Sequence, residues 1–156
     1  MKCRSDFVTN SSSSSFVVVF KDEEAAKNSY DEMIRKGLQK EYAEVIYKDI
    51  LENKVDYQVV LRELAENVDC YYDFFRAYPD ARKGHDGFFR YWEDERYIKM
   101  LQEKKNKIIH AFMERVPKNR YIALIEYGDE DGSFYSDLEH EIMPAMDFVD
   151  CSMSHH

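Results

Sequence analysis

Three short stretches hold the residues able to do chemistry. The first is Glu139-His140-Glu141, an imidazole flanked by two carboxylates. The second is the terminal pair His155-His156, and the third is the serine run Ser11 to Ser15, preceded by Asn10. Imidazoles and carboxylates form the ligand set of zinc, manganese and non-haem iron sites. The spacing is not HExxH or another recognised metal motif. Glu139, His140, Glu141, His155 and His156 are therefore the expected metal ligands only if the last segment returns beside residues 138 to 141. Adjacent residues of a regular strand point to opposite faces, so both terminal histidines enter one site only from an irregular end. The competing expectation is an acidic solvated loop and a frayed terminus. Of the other histidines, His110, beside Ile109, is expected to be structural, and His85 lies in the loop-like "KGHDG".

The serine run likewise has two readings. As low-complexity sequence it is a solvated linker. Its flanks, Phe7-Val8 and Phe16-Val17, instead make it a polar insert within an extended apolar segment. Hydroxyls and backbone N–H groups at a turn can cradle an anion, and Asn10 suits the start of such a turn. Asn10, Ser11, Ser12, Ser13, Ser14 and Ser15 are the candidate ligand-binding residues on that reading. No phosphate-loop glycine pattern or Lys-Ser/Thr pair accompanies them, and no nucleophile elbow singles out one serine for hydrolysis.

"RSDFVTNSSSSSFVVVF" resembles a block recurring at the N-termini of uncharacterised bacterial proteins, often from Firmicutes; "LEHEIMP" and the closing "SHH" resemble their C-terminal segment. The likeness covers residues 4–20, 138–144 and 154–156 and leaves out the middle of the chain. It implies kinship without an activity, and it implies that the serines are an ordered feature and the last two histidines native.

Composition narrows the function classes. Acidic residues outnumber basic ones 31 to 22, a formal charge of −9. That disfavours nucleic-acid backbone and anionic membrane as partners. No apolar run reaches the roughly 20 residues of a membrane span, and no secretory h-region follows Lys2 and Arg4. Three distant cysteines without CxxC fit a reducing, cytoplasmic setting. A small ligand, with a divalent metal as the cofactor, or a protein partner remains. The sequence names no reaction and no oligomeric state.

The elements positioning these residues follow from periodicity. Phe16 to Phe20 reads as a strand. Asp22 caps a helix whose apolar residues run to Gly37, and Tyr42, Val45, Ile46 and Ile50 fit a second. Tyr57 to Phe75 holds one apolar face for a third. A fourth runs from about Asp86 to Val116, ahead of Pro117. The aromatic runs "YYDFF" and "FFRYW" are expected to pack in a hairpin of these two, or, left exposed, to serve an interaction module built from acidic, aromatic-rich helices. Strands at 121–127 and 147–154 enclose a turn, "GDEDG", and a short helix ended by Pro144. The expected fold is α+β: a single domain over residues 1–156, its small sheet of N- and C-terminal strands packed on about four helices within residues 22–116.

Overall fold

The computed structural model describes residues 13–82 and 90–155. The fold is α+β: among the described residues there are three antiparallel strands and seven α-helices, more than the expected four. The chain divides into two compact units, residues 1–60 with 117–156, and residues 61–116.

The first unit holds the sheet. β1 (Ser13–Phe20) is its central strand, flanked by β2 (Tyr121–Gly128) and β3 (Val149–His155). The expected pairing of N- and C-terminal strands is thus present. The register sets Ser13 opposite Gly128 on one side and His155 on the other. It slips between Val17 and Val18 on the β3 side, a bulge that leaves Asp150 between Val149 and Cys151. Alternate residues of β1 share a face. On one face Phe16 and Val18 join Ala123, Ile125 and Tyr127 of β2 in the core. Burying a side chain such as Phe16 contributes about 1.5–3 kcal/mol.

Helices α1 (Glu23–Lys27), α2 (Ser29–Arg35) and α3 (Lys40–Glu52) supply Ala26, Met33, Ala43, Ile46 and Ile50 to that core. Asp22 caps α1, accepting from the Ala25 N–H at 2.8 Å. The single helix expected here is two. The Ser29 hydroxyl donates to the Ala26 carbonyl at 2.6 Å, a local bond that competes with helix propagation at the junction. Gly37 follows with φ +93°, the left-handed backbone that glycine adopts without a Cβ penalty. Residues 53–55 bond along the outer edge of β2 through Val55 N–H to Ile122 O and Leu124 N–H to Asn53 O. They cover part of an otherwise open edge.

The chain continues as α4 (Tyr57–Glu66), in which the boundary between the units falls. The unbroken helix expected over 57–75 ends there. The Asn67 side chain donates to the Glu63 carbonyl, and the Asp69 carboxylate accepts from the Tyr71 N–H, so two short polar side chains close one helix and open the next. α5 (Tyr71–Ala77) packs Phe74 against Tyr97 of α6 (Glu95–Arg115), ring centroids 5.4 Å apart and nearly perpendicular. Cys70, Ala81, Tyr91 and Leu101 complete this smaller core. The pairing of the two aromatic runs is thus partly as expected: Tyr91 meets Tyr71 and Phe75, whereas Tyr72 and Trp92 are exposed. Asp94 caps α6, later than the start expected near Asp86, a position outside the described residues. His110 is exposed rather than structural, its Nε2 3.0 Å from Glu114. No described helix is long and apolar enough to cross a membrane.

Candidate metal centre

Ser13, Ser14 and Ser15 are not a linker: they are the first residues of the central strand, and all three are buried. β1 is paired on both sides along this stretch, so its ladder takes up backbone groups that an anion cradle would need. What a serine here offers a site is its hydroxyl. Ser14 lies opposite Tyr127 and Ser154, on the face that carries Phe16 and Val18.

That face is met by the segment following β2. A single 3₁₀ turn, Asp129–Asp131, leads into α7 (Ser133–Asp137). Two contacts with α3 fix it: Phe134 stacks on Tyr42 with centroids 4.6 Å apart, and the Tyr42 hydroxyl donates to Asp137 at 2.9 Å. The end of β2 is itself tied to α3, where the Tyr127 hydroxyl donates to Asp49 at 2.7 Å. Burial, reinforced by the Asp49 carboxylate, pushes the Tyr127 phenol above its ordinary range.

The short helix expected at 136–143 is a π turn, Leu138–Ile142, followed by a 3₁₀ turn that contains Pro144. The Met143 N–H bonds the Leu138 carbonyl five residues back. π turns are rare and occur often at functional sites. Here Leu138 and Glu139 are buried in succession while His140 is exposed.

Glu139 is the unusual residue, a carboxylate whose side chain is 0 % exposed. Its Oε1 accepts from the Ser14 hydroxyl at 2.9 Å, and its Oε2 lies 3.4 Å from His140 Nε2. Asp129, half-buried at the end of β2, completes the group. One ligand atom from each of Asp129, Glu139 and His140 lies within 4.8 Å of the others. Two carboxylates and an imidazole on one side of an ion are a donor set for manganese, iron or zinc, with further positions left for water or a small anion.

The expected ligands are placed as follows. Glu139 and His140 come together. Glu141 belongs to the same turn but is exposed and outside the triad. His155 stands opposite Ser13, one residue out of phase with Ser14 along the ladder. Asn10, Ser11, Ser12 and His156 lie outside the described residues. Asp129 was not foreseen, because "GDEDG" reads completely as a turn. Its signal is topological: β2 ends where β1 begins, and Asp129 is the next residue.

No protein-family model, curated protein or solved structure matches this chain.

Proposed function

We propose that this protein binds a divalent transition-metal ion through Asp129, Glu139 and His140, with Ser14 holding the Glu139 carboxylate. The observation that carries the reading is a fully buried carboxylate gripped between a strand hydroxyl and an imidazole. Burying a carboxylate is costly unless charge and hydrogen bonds offset it, and a cation supplies the charge. Three protein ligands leave coordination positions open, so a small anionic ligand bound to the metal is the function this arrangement supports best. Ligation requires deprotonated imidazole, so occupancy falls in acid. A metal bound only by the folded chain raises its melting temperature as metal concentration rises. Thermal melts with zinc or manganese against a chelator, at about pH 7.5 and about pH 5.5, test this. Stabilisation at the higher pH alone is expected; equal melts throughout would refute it.

A second reading has one observation in its favour. In the unit of residues 61–116, Tyr72 is 77 % and Trp92 54 % exposed, and their rings rest edge-on against buried or half-buried Tyr71 and Tyr91. Aromatic side chains on a rigid base are common interface anchors. On that reading a Tyr72→Ser/Trp92→Ser variant stays folded and loses its protein partner in cross-linking; identical cross-links in variant and wild type would count against it.

A further inference from the structure

A concave feature lies in the sheet-bearing unit, between the end of α2 and the segment leading to β3. It is a cavity of about 260 Å³. Its apolar lining comes from Met33, Leu38, Met146 and Phe148, all buried or half-buried against the main core. Two oppositely charged side chains also line it. Lys36 and Asp147, 111 residues apart, form an ion pair, and both are well exposed, which puts them at the rim. Lys36 holds the Asp147 carboxyl below its ordinary range, so the carboxylate stays charged at neutral pH. The remaining charged lining residue, Glu32, is engaged by Arg35 at 2.7 Å.

We infer that this cavity binds a small zwitterion with an aliphatic tail, of the chemical class of apolar α-amino acids. An exposed ion pair contributes only about 0–1 kcal/mol, so exchanging it for equivalent partners loses little. A ligand carrying both an ammonium and a carboxylate gives Asp147 and Lys36 one new partner each. A ligand with one charge leaves one of them without a counterpart. The tail then enters a lining that includes two methionines, whose unbranched thioethers adapt to ligands of different shape. Small-molecule sites share this plan of a mostly apolar concavity with a few polar groups that set orientation. Ala145 also lines the cavity and is exposed, so a larger side chain there fills it without crowding the core.

Isothermal titration of the full chain with leucine, in chelator so that metal plays no part, tests the inference. Saturable binding of leucine is expected. Glycine, lacking the tail, should bind about a hundredfold more weakly. 4-Methylpentanoate and isoamylamine, each lacking one charge, should lose about fivefold, as should leucine on Lys36→Ala or Asp147→Asn. Ala145→Trp, shown to be folded by circular dichroism, should abolish binding. No saturable heat with leucine up to about 10 mM would overturn the proposal. So would leucine affinity unchanged in Ala145→Trp, or in both charge variants.

Discussion

The Ser14 hydroxyl donates to the buried Oε1 of Glu139 across 125 residues of sequence. This bond ties the central strand to the π turn and gives a serine a reason to be in a sheet interior. If it holds the carboxylate as argued, Ser14→Ala removes a donor from a buried charge. The expected loss is about 1–3 kcal/mol in urea unfolding. Ser14→Thr keeps the hydroxyl and should retain most of the stability. A Ser14→Ala midpoint equal to wild type would show that the bond is not structural.

Phe74 anchors the smaller core. It is fully buried and touches the rings of Phe75, Tyr78 and Tyr97. Phe74→Ala opens a cavity there and should cost about 3–5 kcal/mol. Loss of protection in amide exchange should appear in α5 and the start of α6. Unchanged exchange in those helices would contradict the packing described.

Tyr127 makes stability sensitive to alkali. Its phenol is raised above the ordinary value by burial first and by the Asp49 hydrogen bond second. The unfolded chain therefore releases this proton before the folded chain does. The stabilisation is fully present below about pH 10, the unfolded value, and is lost as pH rises from there toward the folded value. Tyr121 and Tyr97, raised chiefly by burial, act in the same direction. Tyr127→Phe should lower stability at neutral pH through loss of the bond to Asp49. It should also flatten the decline between about pH 9 and about pH 11 by roughly one proton's worth. Parallel wild-type and variant curves over that interval would exclude the mechanism.

Much of this fold is legible in local pattern. The runs 16–20, 121–127 and 147–154 became strands over Ser13–Phe20, Tyr121–Gly128 and Val149–His155. The Asp22 cap, the 40–52 helix and the helix ending before Pro117 also follow from composition and spacing. The helix count does not, because its breaks depend on side-chain-to-backbone bonds of Ser29, Asn67 and Asp69 that apolar periodicity does not register.

The candidate site was legible in part. Glu139 and His140 stand out as an imidazole beside carboxylates. Ser14 belongs to the serine run that the sequence singles out, though there as part of an anion cradle rather than as the partner of a carboxylate; Asp129 joins through strand pairing, and no local feature marks it. Serine is a weak strand former by composition, and Ser14 sits in the central strand with a buried carboxylate as its partner. Equally, the π turn that buries Glu139 while exposing His140 has no simple sequence signature.

On the proposed function, Asp129, Glu139 and His140 bind a metal together. The most direct measurement is calorimetric titration of untagged, metal-stripped protein with zinc and with manganese at about pH 7.5, beside Glu139→Gln and His140→Ala. Glu139→Gln keeps the shape of the side chain and a carbonyl acceptor for Ser14. One ion per chain is expected on wild type, with affinity at least about tenfold weaker on each variant, since removing even a residue that only supports a ligand costs that much. Wild-type protein that takes up neither ion, or that binds one as tightly in Glu139→Gln as in wild type, would contradict it.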